Sequence, residues 1–220
     1  MDPHQRPSRF TWGGLMLNAI TQRAVFERYL TEDEEKKLMR HVRQFADVLA
    51  RRDAQWIELM RQTGIRVGSM AGITLGDAKA ALRSKRLHLV DQFAKGKRGY
   101  EVPTNKSAIA CLKALIAIRA DMGYGAHPEM PLVMSRNHRG MSVRSYQARM
   151  AMWVREAGLP VSASPHWLRH TLAKRVMSRS ESRDPQAIVQ VVLGQRSRES
   201  TAIYTLPDRE DIVDALELAR

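Results

Sequence analysis

One stretch of this chain, residues 73–103, lacks the helical periodicity that runs through most of the remaining sequence. Two short β-like runs stand within it, at positions 87–90 and 100–103. Between these runs, positions 95–99 read KGKRG, and this mixture of three cations and two glycines is typical of a turn. The pattern predicts one β-hairpin with a basic tip or flank, inserted into an otherwise helical chain.

Two helices with clear end signals and apolar faces are predicted before this hairpin. Positions 31–34 read TEDE, which is a capping box that opens a helix. That helix has an apolar stripe formed by Leu38, Val42, Phe45 and Leu49. A second helix is predicted over about 53–63, with Gly64 as the residue that ends it.

Further helices are predicted after the hairpin. They lie at about 107–121, from Ser142 to a stop at Gly158, from Ser164 onward, at 185–193, in a short segment around Tyr204, and at 208–219. Residues 1–28 are interpreted as an N-terminal arm or connector with a short helix at 15–28, and residues 29–220 as one domain. The predicted fold class is mainly α with a small antiparallel β-sheet (α+β).

The charge balance points to a polyanionic partner. The 220 residues include 36 Lys and Arg against 23 Asp and Glu, a net charge of +13. Such a balance favours DNA or RNA as the partner. The single cysteine, Cys111, excludes an intrachain disulfide and a thiolate zinc cluster, which fits a reducing cytoplasm. No apolar run approaches the roughly 20 residues that a membrane span needs, and no signal peptide is expected.

The helix that begins at Ser164 carries the first candidate site residues. Ser164 can cap free N–H groups, and the fixed φ of Pro165 suits a first helical turn. His166 and Arg169 are three residues apart and therefore share one face of the helix. A planar cation beside a titratable imidazole suits chemistry on a phosphate. Tyr204, on a separate short segment, is a phenol that could act as a nucleophile.

Other interpretations of these residues stay open at the level of pattern alone. His166 and His170 have the i, i+4 spacing of a zinc pair, although the metalloprotease Glu and a third ligand are missing. We therefore interpret His170 as a packing residue. Arg66, at the junction after the second helix, is either a solvent-exposed residue or a phosphate ligand. Lys95 and Lys97 both qualify as the functional cation of the hairpin, and the register to the second strand favours Lys95.

Five segments taken in order resemble the motifs of the tyrosine recombinase (phage integrase) family. They are TGIRVG at 63–68, FAKGKRGYEVP at 93–103, PHWLRHT at 165–171, VLGQRS at 192–197 and TAIYT at 201–205. The likeness spans residues 31–215. One His-x-x-Arg box is common in proteins, but five motifs in this order and spacing are specific. The resemblance implies the catalytic-domain fold of that family.

The resemblance also implies an activity and a role for each site residue. The enzyme would cleave and rejoin DNA strands through a covalent 3′-phosphotyrosine, without a metal or cofactor. Tyr204 would attack the phosphodiester, while Arg66 and Arg169 would hold the non-bridging oxygens where negative charge grows. Lys95 would protonate the departing 5′ oxygen, and His166 would assist proton transfer on the tyrosine side.

The partners follow from the same resemblance. It implies double-stranded DNA as the substrate and four protomers on two duplexes, with a monomer in the absence of DNA. The helix at 208–219 is the candidate for exchange of a C-terminal segment between protomers. The reaction would be integration, excision or inversion of DNA in a phage or other mobile element, inside the cytoplasm.

Three departures from the family pattern shape the expectations. Gln195 stands where the family usually has His or Trp, so we expect its amide N–H₂ to donate to a phosphate oxygen. Ser69 stands where the family favours an acidic residue, so a carboxylate that would orient Arg66 is missing. The usual N-terminal core-binding domain, roughly 60–100 residues, is expected to be absent. The alternatives are a non-cleaving DNA-binding protein of recombinase descent and an unrelated basic helical regulator.

Overall fold

The computed structural model describes residues 28–90, 99–195, 197–207 and 209–219, with backbone alone at positions 90, 200, 203–205, 209–211 and 214. Residues 15–27 of the short helix predicted at 15–28, and the hairpin residues Lys95 and Lys97, lie outside these ranges. The described elements, in chain order, are α1 (Glu32–Val42), α2 (Val48–Thr63), α3 (Val67–Gly72), α4 (Leu75–Ser84), β1 (Arg86–Val90), β2 (Gly99–Pro103), α5 (Lys106–Asp121), α6 (Val143–Glu156), α7 (Pro165–Arg179), α8 (Pro185–Val192), α9 (Arg198–Thr205) and α10 (Arg209–Leu218). The predicted class, mainly α with a small antiparallel sheet, is confirmed.

The first helix is shorter than the apolar stripe predicted. The capping box is present, since the Thr31 side chain accepts from the Glu34 N–H and the Glu34 carboxylate accepts from the Thr31 N–H. However, α1 ends at Val42, and a new helix starts where Asp47 accepts two hydrogen bonds from the first turn of α2. Phe45, predicted on the helical stripe, lies in the connection and is 41% exposed. The prediction of one continuous helix was wrong because Asp47 is an N-cap.

The stretch at 73–103 also contains a helix that the sequence pattern did not reveal. α4 begins with a second capping box, in which Thr74 and Asp77 bond reciprocally. Its buried stripe consists of Leu75, Ala78 and Ala81. Two of these three side chains are single methyl groups, so the apolar periodicity is weak although the helix is well formed.

The hairpin strands lie where they were predicted. β1 pairs antiparallel with β2, with Leu87 opposite Val102 and Leu89 opposite Tyr100. Leu87, Leu89 and Val102 are buried, whereas His88 and Glu101 are exposed. One face of the sheet therefore covers the helical core, as the two-residue alternation of a strand requires.

A buried carboxylate fastens α2, the central helix, to α6. Asp53 is fully buried and accepts hydrogen bonds from the indole N–H groups of Trp56 (3.0 Å) and Trp153 (2.9 Å). The guanidinium groups of Arg52 and Arg149 also bond to this carboxylate. Arg52 donates through both Nε and Nη2, so five donated N–H bonds compensate the burial of the charge. These bonds join the N-terminal half of α2 to α6, and the opposite end of α2, at Thr63, leads to the candidate site.

The helix α7 packs against α2 and bonds to the start of the described chain. The Thr171 hydroxyl accepts from the Leu30 N–H (2.9 Å) and donates to the Trp167 carbonyl (2.8 Å). Farther along α7, Leu172 packs in a small apolar cluster with Leu193 from the end of α8. No helix in the described part of the chain is both long and apolar enough to cross a membrane.

Candidate active site

The first turn of α7 exposes an imidazole and buries a guanidinium. Ser164 occupies the N-cap with extended backbone and Pro165 the first helical position, as predicted, although within the described residues the Ser164 side chain makes no capping hydrogen bond. His166 reaches solvent, while Arg169, one turn later, is only 1% exposed. The two predicted residues of this helix therefore lie at different depths of the same site.

Two backbone carbonyls fix the Arg169 guanidinium. Its Nη1 donates to the Gly64 carbonyl and its Nη2 to the Leu193 carbonyl, each at 2.8 Å. These bonds connect α7 to the end of α2 and to the end of α8, and they use two of the five N–H donors of an arginine. The orientation of the planar group is therefore set before any substrate arrives.

The geometry of Gly64 makes this arrangement possible. Gly64 ends α2 in the left-handed conformation, at a φ of +62°, as its sequence position predicted. A Cβ at this position would lie 2.7 Å from Leu193 Cδ2 and 2.9 Å from Leu172 Cδ2. Any side chain here would displace Leu193, whose carbonyl binds Arg169.

Arg169 and Arg66 both lie close enough to His166 to lower the pKa of its imidazole. Arg66 is half-buried at the N-cap position of α3, two residues after the turn at Gly64. Partial burial lowers the pKa of the His166 imidazole, and the positive charges of Arg169 and Arg66 lower this pKa further. The three predicted residues therefore share one electrostatic neighbourhood, and the imidazole is neutral at pH 7 and able to accept a proton.

His170 packs behind this group, as the sequence analysis interpreted it. The rings of His166 and His170 meet edge to face, with centroids 4.9 Å apart. Burial lowers the pKa of His170 to about 4, with added effects from the charges of His166, Arg169 and Arg28. Within the described ranges, no group of three His, Cys, Asp or Glu side chains is arranged to hold a metal ion.

Gln195 follows the left-handed residue Gly194 at the end of α8. Its backbone N–H donates to the Gln190 carbonyl at 2.9 Å, and the preceding Leu193 carbonyl binds Arg169. The Gln195 Oε1 atom is buried, and within the described residues it has no hydrogen-bond partner. Gln195 therefore stands two residues after Leu193, whose carbonyl orients Arg169.

The structure also shows a contact that the sequence did not reveal. The Ser69 and Tyr100 hydroxyl oxygens are 3.2 Å apart, and the Tyr100 ring lies against Gly194, where a Cβ would be 2.7 Å from Tyr100 Cδ2. Strand alternation could have identified Tyr100, because it shares the inward face of β2 with the buried Val102. Its two partners come from elements that only the tertiary fold brings together.

The remaining predicted residues are described in part or not at all. Tyr204 lies on α9, which packs against α7 and α8, and its backbone is described without its side chain. Thr201, on the same helix, is fully buried and donates to the Ser197 carbonyl. Lys95 lies outside the described residues. The described structure thus brings Arg66, His166 and Arg169 to one region, and Gln195 follows by two residues the Leu193 carbonyl that binds Arg169. The helix that contains Tyr204 packs against α7 and α8.

Comparison with known proteins identifies the family. Residues 28–210 match the phage integrase family. The chain belongs to this family. It is 33% identical to the tyrosine recombinase XerC of Psychromonas ingrahamii over 159 residues, which are 72% of this chain and 50% of that relative. The chain therefore spans about half the length of the curated relatives that it matches.

Solved recombinase structures share the fold of this phage integrase family member. XerA recombinase matches with a TM-score of 0.68 and 21% identity, over 87% of this chain and 63% of XerA. The XerH site-specific recombinase bound to its difH substrate matches with a TM-score of 0.65 and 18% identity, over 89% of this chain and 55% of XerH. A lambda integrase tetramer bound to a Holliday junction matches with a TM-score of 0.58 and 17% identity, over 80% and 47% of the two chains.

Proposed function

We propose that residues 29–220 form the catalytic domain of a site-specific DNA recombinase, preceded by an arm or connector at 1–28. The domain cleaves and rejoins DNA strands through a covalent 3′-phosphotyrosine. The observation that carries this proposal is the shared effect of Arg66 and Arg169 on the His166 imidazole, in a chain of the phage integrase family. Two cations beside a neutral base suit a reaction at one phosphodiester.

The first step is an in-line attack by the phenol of Tyr204 on the scissile phosphorus. The Tyr204 oxygen forms a bond to phosphorus, and the bond from phosphorus to the 5′ oxygen breaks. The phenolic proton passes to His166, whose lowered pKa leaves it neutral at pH 7. Lys95 protonates the departing 5′ oxygen. The 5′ hydroxyl then attacks the phosphotyrosine to rejoin a strand, with the proton transfers reversed.

Charge on the phosphate is balanced by side chains of the chain itself. Arg66 and Arg169 donate to the non-bridging oxygens, where negative charge increases in the transition state. The two carbonyl bonds of Arg169 orient its guanidinium plane, so little reorganisation is needed when DNA binds. Gln195 supplies an amide N–H₂ donor in place of a ring N–H.

The proposed partner is double-stranded DNA, bound by a homotetramer. The net charge of +13 favours a polyanion, and structures of the same fold include recombinases in complex with DNA and one tetramer. α10 exposes Ile212, Val213 and Leu216, which share one face of the helix, and a neighbouring protomer can cover this apolar face. We further propose that the protein acts in the cytoplasm on a phage or other mobile element.

A suicide-substrate experiment tests the proposal. The probe is a library of nicked duplexes with random sequence on both sides of the nick, so that cleavage releases a short strand and prevents religation. We expect purified protein to form an SDS-resistant protein–DNA adduct, whose DNA can be amplified and sequenced. Tyr204→Phe should abolish the adduct because no phenol remains to attack phosphorus.

A matched control is available in Tyr124→Phe. The Tyr124 hydroxyl donates to the Ser135 carbonyl at 2.6 Å, in a loop outside the proposed site. This variant also loses one phenolic hydroxyl but should form the adduct at the parent level. Salt-dependent DNA binding without any adduct would overturn the proposal and favour the non-cleaving DNA-binding protein.

A further inference from the structure

We propose that Tyr100 is a positioning residue for strand cleavage, which holds the turn carrying Gln195 against the helix that begins after Arg66. This inference rests on the proposed function and adds a residue to its machinery. Tyr100 takes no part in bond making or proton transfer in the proposed reaction. It acts through two neighbours, one hydroxyl group and one glycine backbone.

The hydroxyl end of Tyr100 bonds to α3. Ser69 is 2% exposed and lies in the first turn of this helix, whose N-cap residue is Arg66. The oxygen–oxygen distance of 3.2 Å joins Ser69 to a strand 31 residues away in sequence. A buried hydroxyl group without a partner is costly, so this bond favours one relative position of α3 and β2.

The ring of Tyr100 contacts the turn between α8 and α9. Gly194 adopts a φ of +60°, and a Cβ there would lie 2.7 Å from Tyr100 Cδ2 and 3.1 Å from Cε2. The aromatic ring therefore lies directly on the glycine backbone. The residue before this glycine supplies the Leu193 carbonyl that binds Arg169, and the residue after it is Gln195.

The strand fixes Tyr100 itself. Tyr100 pairs with Leu89 across the sheet and packs against the main hydrophobic core. A rigid phenol on a paired strand loses little further entropy when it makes these two contacts. Tyr100 therefore acts as a brace between the first turn of α3 and the turn at Gly194.

We expect loss of the Tyr100 brace to lower the cleavage rate more than it weakens DNA binding. Tyr100→Phe retains the ring contact with Gly194 and removes the bond to Ser69, while Ser69→Ala removes the same bond from the other end. Each variant should slow single-turnover cleavage roughly 5- to 10-fold, the range for loss of one hydrogen bond. The dissociation constant for the nicked duplex should change less than about twofold, because the phosphate-binding residues are retained.

A double-mutant cycle and a control separate positioning from general stability. Because the two hydroxyl groups share one bond, the double variant should cleave no more slowly than either single variant. Tyr124→Phe loses a phenolic hydrogen bond in another part of the chain. It should lower the unfolding midpoint in urea about as much as Tyr100→Phe does, yet cleave at the parent rate.

Each outcome has one interpretation. Parent-like cleavage by Tyr100→Phe, or rate losses that multiply in the double variant, would overturn the inference and leave the proposed function intact. A parent protein that forms no adduct would overturn the proposed function, and the role of Tyr100 with it.

Discussion

His170 gives the domain a pH-dependent stability that can be measured without DNA. It is 5% exposed, and its folded-state pKa is about 4, against an ordinary value of 6.5. Between these two values the unfolded chain binds a proton at this position that the folded chain does not. Stability from this group is therefore fully present above pH 6.5 and falls as the pH decreases toward 4.

The size of the effect follows from the two pKa values. Integrating the difference in proton binding from pH 7 to pH 5 gives a loss of about 2 kcal/mol in the free energy of unfolding. Burial also lowers the pKa of His166, which adds a loss of the same sign. A substitution of His170 removes its own share of the pH dependence and leaves the share of His166, so the two can be separated.

Urea titrations at pH 7 and pH 5 measure this quantity. His170→Gln, which cannot titrate, should lose about 2 kcal/mol less than the parent between the two pH values. The exposed His127 supplies a matched control, because His127→Gln should retain the pH dependence of the parent. A His170→Gln variant whose stability falls with pH as steeply as that of the parent would refute the reasoning.

Two further substitutions test the elements that support the site. Gly64→Ala should lower the free energy of unfolding by about 3 kcal/mol, since it adds a contact with Leu193 to the left-handed strain, while Gly123→Ala, at a φ of +78° in open space, should cost about 1 kcal/mol; equal losses in urea titrations would contradict the geometry. Asp53→Asn should cost about 3–5 kcal/mol, because the buried guanidinium of Arg52 loses its counter-charge. A thermal and urea unfolding measurement that shows a loss below about 1 kcal/mol would disprove this role of Asp53.

Local sequence signals predicted most helix ends and the hairpin strands correctly. The capping box at Thr31, the left-handed stop at Gly64 and the N-cap at Ser142 each depend on contacts within a few residues. Such contacts can be predicted from neighbouring positions in the sequence. The same signals gave a wrong prediction at Asp47, which was placed inside the first helix but caps the second. They also missed α4, because its two buried alanines weaken the apolar periodicity.

The site itself could be predicted only in its residue types. The order of motifs pointed to Arg66, His166 and Arg169, and the described structure brings these three together. The motifs did not show that Arg169 would donate to carbonyls 105 and 24 residues away, or that the Ser69 hydroxyl would bond to Tyr100. These contacts depend on how helices pack, and no periodicity or local motif records them.

The most direct test of the account is to identify the residue that becomes linked to DNA. The trapped adduct can be treated with nuclease and trypsin, which should release the peptide ESTAIYTLPDR, residues 199–209, whose one phenol is Tyr204. We expect fragmentation in the mass spectrometer to locate the nucleotide phosphate on Tyr204. A phosphate on any other residue, or no covalent adduct at all, would contradict the account.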